Sequence, residues 1–287
     1  MPDLRPLFIC GPTASGKSAT AIDLARQLGG EIVNADAFQL YQRIPILSAA
    51  PSPEDLCQVP HHLYGVLDPA QPCDAGRYLD LATPVIAEIQ SRGVVPIVTG
   101  GSGLYLKFLT HGPAPLPTAD PSLRAALDQL PLDELVQQLQ DLDPVEAART
   151  HLANRRYVSR ALEICILAGQ PASHLRDQWH AATRSREADL RGLLIQRPRE
   201  VLHARIARRT QAMFDAGVVA ETAGLGPVST TCEKAIGLRE IRSLLAGEID
   251  PPTCIQLINA ATRQYAKRQQ TWFRREIWLT PHPLEDP

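Results

Sequence analysis

The chain has no stretch approaching the roughly eighteen consecutive apolar residues that a membrane-crossing helix requires. Its start, Met1-Pro2-Asp3-Leu4-Arg5, lacks the basic and apolar regions of a secretory signal. No membrane partner is expected, and a soluble, cytoplasmic protein is. Paired cysteines are missing too: the six, at 10, 57, 73, 165, 232 and 254, show no C-x-x-C spacing and no paired-histidine pattern. That argues against both structural zinc and a disulfide framework, so the thiols read as reduced. No internal repeat and no low-complexity segment is present. A strong net charge is also lacking, but the total of −2 hides a split. Residues 1–146 hold 8 Lys/Arg against 17 Asp/Glu, whereas 191–275 hold 14 against 7. The basic second half suits either a polyanionic partner or a solvated face.

What is present is organised around Gly11-Pro12-Thr13-Ala14-Ser15-Gly16-Lys17-Ser18, set between the apolar run Leu7 to Cys10 and the amphipathic run Ala19 to Leu28. Strand, phosphate loop and helix are predicted in that order. The spacing is G-x-x-x-x-G-K-S, and each fixed position has a physical task. Gly11 and Gly16 permit a tight turn that points successive N–H groups inward, and the helix start adds partial positive charge. Lys17 supplies a cation for terminal phosphates, and Ser18 a hydroxyl for Mg²⁺. At 287 residues, a core domain with a smaller insertion is expected.

Further along, Glu31-Ile32-Val33-Asn34 predicts a strand that delivers Asp36 beyond its carboxyl end, where ligands of open α/β sheets bind. Leu47 to Pro60 predicts loop, and Ala75 to Arg92 a helix packed on the sheet. Val94 to Val98 is a near-continuous apolar run, as a buried parallel strand should be, and ends in Thr99-Gly100-Gly101-Ser102-Gly103, a second flexible, donor-rich turn. Gly112 to Pro117 marks a boundary, with three prolines in six residues. Helices follow over 122–130, 132–142, 144–151 and 155–167, until Leu193-Leu194-Ile195 returns to the sheet. The fold predicted is therefore α/β: a parallel sheet of the P-loop NTPase type flanked by helices, formed by 1–117 and 186–287, with 118–185 as a helical insertion domain. Arg199 to Ala216 places Arg205 and Arg209 four apart on one helix face. Thr253 to Arg275 is a basic helix with Tyr265, Trp272 and Phe273 interleaved; it either binds nucleic acid or lies on the core with its charges in water.

A phosphate-loop kinase or ATPase usually has an apolar strand ending in a Mg²⁺-holding Asp. Here the best buried strand ends in Thr99-Gly100-Gly101, and the carboxylate near the loop is Asp36. An Asp beside a diphosphate site repels the phosphates unless it has another task, such as taking a proton from an incoming nucleophile. That favours attack on the carbon bearing a diphosphate.

With these residues assembled, the chain resembles the bacterial tRNA dimethylallyltransferases, also called tRNA isopentenyltransferases, over nearly its whole length. The matching pieces are the phosphate loop, Asp36 with Gln39-Leu40-Tyr41, Pro60-His61-His62-Leu63, Gly100 to Tyr105, Ala119-Asp120-Pro121 with Arg124, Arg160 to Glu163, Ile236-Gly237, and Thr262 to Gln269 with Thr271-Trp272. The resemblance implies transfer of a dimethylallyl group from dimethylallyl diphosphate to N6 of the adenosine 3′ of the anticodon, position 37, with Mg²⁺ as cofactor and the tRNA anticodon stem-loop as partner. It implies Asp36 as base, Ser102 standing where the family has Thr, and Lys17 and Arg209 as catalytic cations. Gly11, Pro12, Thr13, Ala14, Ser15, Gly16, Lys17 and Ser18 would hold the diphosphate with Arg209. Asp36, Ala37, Phe38, Gln39, Ser102, Arg124, Arg156, Ser159, Arg160, Lys234, Gly237, Arg239, Arg263, Lys267 and Arg268 would touch tRNA.

Departures from the family pattern are Ala37 after Asp36, Leu47-Ser48-Ala49-Ala50 in place of Gly-Thr-Ala-Lys, Tyr157 where arginine is common and Leu238 where tyrosine is. The sequence after Arg275 leaves no room for the zinc finger of eukaryotic relatives, so no zinc is expected, and a monomer is. Two alternatives stand beside the main expectation. One is an isopentenyltransferase acting on free adenine nucleotide, and the other a phosphate-loop RNA-binding module without transferase chemistry.

Overall fold

The computed structural model describes residues 3–284. Six parallel strands form one sheet: β1 (Leu7–Cys10), β2 (Glu31–Asn34), β3 (His61–His62), β4 (Pro96–Gly100), β5 (Arg191–Gln196) and β6 (Leu279–Pro283), in the order β3-β2-β4-β1-β5-β6. The chain leaves β1 towards β2 on one side and leaves β4 towards β5 on the other. The topological switch point therefore lies between β1 and β4, where ligand crevices of open sheets form.

Alternation along the strands builds two apolar layers. Ile9, Ile32, Ile97 and Ile195 face one way and pack with Ala21, Ile22 and Ala25 of the Lys17–Leu28 helix. Phe8, Val33, Val98 and Leu194 face the other, against Tyr78, Ala82 and Ile89 of the Ala75–Ser91 helix and Phe273 of the Pro251–Phe273 helix. Each fully buried isoleucine contributes about 1.5–3 kcal/mol by leaving water. The register aligns the strand ends: Cys10 sits opposite Gly100 and Leu194, and Asn34 opposite Thr99. Three connecting segments thus open at one level, the phosphate loop after β1, Asp36 after β2 and Ser102 after β4.

The chain divides into two compact units, Met1–Thr110 with Asp189–Pro287, and His111–Ala188. The second is helical, with its own core of Leu135, Leu139, Val158, Leu162 and Ile164. Its Asp143 is buried and accepts from the backbone of Glu146 and from both the backbone and hydroxyl of Ser173. Burial alone would raise this carboxyl, but those hydrogen bonds outweigh it and hold it below its ordinary range.

Three local features differ from expectation. The segment 47–60 is not loop throughout: Pro53–Gln58 is helical, because Ser52 and Asp55 form a reciprocal capping box with Pro at the first position. Strand β3 is only two residues long and gives no alternation to read. Strand β6 carries Pro281 and Pro283, which removes ladder donors and is tolerated because the strand lies at the sheet edge.

Candidate active site

The phosphate loop turns where the sequence requires it. Gly16 sits at φ 97°, directly before the Lys17–Leu28 helix, a conformation costly for any side chain. At Gly11 a Cβ would lie 2.9 Å from Ser15 Oγ and 3.0 Å from the Ile195 carbonyl. Residues from far along the chain then fix the loop: Arg209 Nη1 donates to Thr13 Oγ1 at 2.7 Å, Arg205 Nε to the Ala14 carbonyl at 2.8 Å and Arg197 Nε to the Ser15 carbonyl at 2.8 Å. Both arginines placed four apart on the Arg199–Asp215 helix reach the loop.

The loop concentrates donors that lack acceptors. Ser15 Oγ and Arg209 Nε are buried with no hydrogen-bond partner. Burial pushes the Lys17 ammonium below its ordinary pKa; Asp36 opposes this shift and Arg209 adds to it. The Arg209 guanidinium is lowered by burial as well, again opposed by Asp36 and reinforced by Arg205. Desolvated cations beside unpaired donors are what an entering diphosphate would satisfy. Ser18 lies exposed in the first helical turn.

Across the switch point, Asn34 at the end of β2 shapes the turn that presents Asp36. Its Oδ1 accepts from the Asp36 backbone at 2.8 Å, while Nδ2 donates to the Asp36 and Leu63 carbonyls. Asp36 Oδ1 accepts from the Phe38 backbone at 3.0 Å. Ser102 Oγ accepts from the Ala37 backbone at 2.9 Å, and its own N–H donates to the Ala35 carbonyl at 3.3 Å. Tyr265 stands beside this pair. Burial and then the Asp36 charge raise its phenol, against hydrogen bonds to Ser102 and Gln269, so it stays protonated. Its ring lies 6.5 Å from that of Phe38 and carries the Arg268 guanidinium at 5.6 Å. Between the two sides is a narrow cavity of about 50 Å³, reached by Thr13 and Arg209 from one side, Asp36 and Tyr265 from the other, and roofed by Leu47 to Ala49. A larger, mostly apolar hollow of about 600 Å³ touches the loop only at Pro12 and contains neither Asp36 nor Ser102.

The turn after β4 is not the flexible element expected from its glycines. Gly100, Gly101 and Gly103 have no positive φ; instead, added Cβ atoms would lie 2.1 Å from the Ala35 carbonyl, 2.1 Å from Gln269 Nε2 and 2.4 Å from the Trp272 ring. These glycines permit close packing. Gln269 is buried there, with Oε1 accepting from the Thr13 backbone at 2.8 Å and Nε2 donating to the Gly101 carbonyl at 3.0 Å.

The candidate tRNA residues fall into distinct groups. Ala37 and Phe38 follow Asp36 in the turn after β2, but Gln39 donates its amide to the Ser48 and Ala49 carbonyls and so holds the cavity roof. Glu221 holds the same roof, accepting from the backbones of Ile46 and Leu47 at 2.8 Å each. Lys234 and Arg239 are exposed, whereas Gly237 is buried at φ 99° with Leu47 against it. Arg263 and Lys267 line a groove of about 420 Å³ with Arg199, His203 and Arg274, while Arg268 turns to Tyr265 on another face of the same helix. In the helical unit Arg124 and Arg160 both bind the buried Glu163 carboxylate, at 3.1 and 2.5 Å. Arg156 is exposed beside them, and Ser159 Oγ is buried without a partner. The sequence did not assign parts to Tyr265, Gln269 or Glu221; the interleaved aromatics of the basic helix and the Thr262 to Gln269 match were the available signals.

Fold and site together define a phosphate-loop α/β protein whose loop faces an isolated carboxylate in place of a kinase-type metal-binding Asp. The IPP transferase family model matches residues 39–276, and the Isopentenyl transferase model matches 5–64. The chain belongs to the IPP transferase family. It is 46% identical over 277 residues to a tRNA dimethylallyltransferase of Akkermansia muciniphila, covering 96% of this chain and 92% of the relative. It is 42% identical to one from Syntrophobacter fumaroxidans, covering 96% and 82%. Among solved structures, the full-length tRNA isopentenylpyrophosphate transferase of Bacillus halodurans matches with a TM-score of 0.69 at 33% identity, covering 98% of this chain and 90% of that one. A eukaryotic dimethylallyltransferase acting on tRNA matches at 0.80 and 26% identity, covering 98% and 74%. Among the described residues no helix is long and apolar enough to cross a membrane.

Proposed function

We propose that this protein is a tRNA dimethylallyltransferase, moving a dimethylallyl group from dimethylallyl diphosphate to N6 of adenosine 37 in the anticodon loop. The observation that carries the assignment is the opposition of Thr13 and Arg209 to Asp36 and Tyr265 across one narrow cavity, with Ser15 Oγ and Arg209 Nε buried without a partner on the loop side. The loop residues and Arg209 hold the diphosphate. The N6 amine attacks the allylic carbon, the carbon–oxygen bond breaks with its electron pair leaving on the diphosphate, and the amine proton passes to Asp36. Lys17 and Arg209 stabilise the charge that develops on the leaving group. Ser102, whose Oγ accepts from the Ala37 backbone, supplies the hydroxyl that orients the acceptor base. The adenine must leave the loop stack to arrive here, and a cavity of about 50 Å³ admits a nucleobase only if its lining rearranges.

Mg²⁺ fits this site in a limited way. Among the described residues no group of three His, Cys, Asp or Glu is arranged to hold a metal. Mg²⁺ commonly takes one or two protein ligands plus phosphate oxygens and water, and Ser18 supplies one hydroxyl. When bound, the ion would neutralise diphosphate charge. The basic groove with Arg263 and Lys267, and the Arg156 and Ser159 region of the helical unit, are the surfaces we assign to the stem-loop phosphates. Incubating the purified protein with labelled dimethylallyl diphosphate and either tRNA or AMP tests the assignment: label should enter tRNA and not AMP. Label in AMP alone would favour the free-nucleotide enzyme, and label in neither the non-enzymatic module.

A further inference from the structure

Transfer of this kind requires two separately held partners to meet at near-contact distance, and misplacement by about 1 Å can cost on the order of 10² in rate. The donor side is carried by the loop after β1, and the acceptor side by the turns after β2 and β4. These turns are neighbours through the sheet, yet beyond Cys10 and Gly100 the ladder that joins β1 to β4 has ended. One side chain spans them. Gln269, from a helix that follows the entire sheet core except β6, takes the Thr13 N–H at 2.8 Å and gives its amide hydrogen to the Gly101 carbonyl at 3.0 Å. Thr13 is also the residue whose hydroxyl accepts from Arg209, and Gly101 directly precedes Ser102. One helical turn earlier on the same helix, Tyr265 stands at Ser102.

We infer that Gln269 is a positioning residue that sets the diphosphate loop against the acceptor turn, acting through Thr13 and Gly101 and touching neither substrate. The chemistry of the position is specific. A neutral amide is the side chain that accepts at one end and donates at the other. Glutamate keeps the first bond and turns a carboxylate onto a carbonyl, methionine keeps the length and loses both bonds, and asparagine keeps the polarity but is one methylene too short to bridge. The packing is close, since a Cβ at Gly101 would lie 2.1 Å from Gln269 Nε2.

The rate measurement rests on the transferase assignment above; a second measurement does not. Gln269→Met and Gln269→Asn are compared with the unaltered protein in single-turnover transfer with both substrates saturating. Dissociation constants for dimethylallyl diphosphate and an anticodon stem-loop, and amide hydrogen exchange of the 11–18 segment without substrate, complete the set. The expected result is transfer slower by about 10- to 100-fold in both variants, with dissociation constants within about threefold and faster exchange at the Thr13 amide. A transfer rate within about twofold of the unaltered protein, or a loss matched by equal losses of substrate affinity or folded fraction, would overturn the inference. Faster Thr13 exchange in the variants of a protein that transfers nothing would sink the transferase assignment while leaving the bridge in place. Unchanged exchange would remove the bridge whatever the rates.

Discussion

The two glycine-bearing turns at the ends of adjacent strands β1 and β4 have similar composition and opposite physical roles. After β1, glycine serves conformation: Gly16 holds φ 97° so that the loop can curl and the Lys17 helix can begin. After β4, glycine serves proximity: Gly100, Gly101 and Gly103 have ordinary backbone angles and allow Ala35, Gln269 and Trp272 to approach. At the first turn Ser15 Oγ and the Arg209 Nε beside it are buried without a partner. At the second, Ser102 Oγ, the Gly101 carbonyl and Asp36 Oδ1 each accept a hydrogen bond, which suits a platform that presents Asp36 and Ser102 in one fixed arrangement. A glycine-rich sequence therefore marks a ligand cradle only when its fixed partners, here Lys17 and Ser18, come with it.

Lys17→Met sharpens that difference most. Removing the cation should lower transfer by about 10² to 10³ and weaken diphosphate binding, while stem-loop affinity measured by filter binding stays the same. Gly101→Ala should act from the other side. The forced displacement of Gln269 should reduce transfer by roughly 10² with diphosphate affinity within a few fold, and a large loss of diphosphate affinity instead would show that the two turns are not functionally separate.

A smaller effect is expected at Ser102. Ser102→Ala should slow single-turnover transfer by roughly tenfold, more than it weakens stem-loop binding, and Ser102→Thr should be close to neutral because the hydroxyl is kept. A normal rate in the alanine variant would remove Ser102 from the site. The smallest effect concerns the basic helix, where Lys267 and Arg268 sit on different faces. Lys267→Ala should reduce the slope of log affinity for tRNA against log salt by about 1 without changing the transfer rate at saturation. An unchanged slope would make the groove a solvated face.

Much of this arrangement was legible in the sequence, for identifiable reasons. The phosphate loop, β1, β2 and the Lys17–Leu28 helix are local patterns in which each residue type has one dominant physical use. Asp36 could be placed because it follows a short apolar strand by two residues. The helix at 132–142 carried clear periodicity, with Leu135 and Leu139 fully buried, and the one expected over 155–167 forms with Leu162 fully buried. What could not be read depends on partners distant in the chain. Gly101 needs Gln269, 168 residues away, and nothing near Gly101 distinguishes a packed glycine from a mobile one. The pairing of Arg124 and Arg160 with Glu163 was hidden because that carboxylate is buried only once the helices assemble. The engagement of Gln39 by the Ser48 and Ala49 carbonyls arises from the roof fold. The strand at 279–283 was hidden by its own prolines.

If the loop holds the donor and Asp36 takes the proton, Asp36→Asn separates those two tasks. The amide keeps the size of the side chain and an oxygen able to accept from Phe38 and from the adenine amine, so the turn and stem-loop affinity should persist. Diphosphate affinity should be unchanged or slightly higher, since a negative charge near Lys17 and Arg209 is removed. General-base contributions are typically about 10² to 10⁴, or about 3 to 5 kcal/mol. Single-turnover transfer from dimethylallyl diphosphate to tRNA should therefore fall by that factor with both dissociation constants within a few fold, and near-normal transfer by Asp36→Asn would contradict the account.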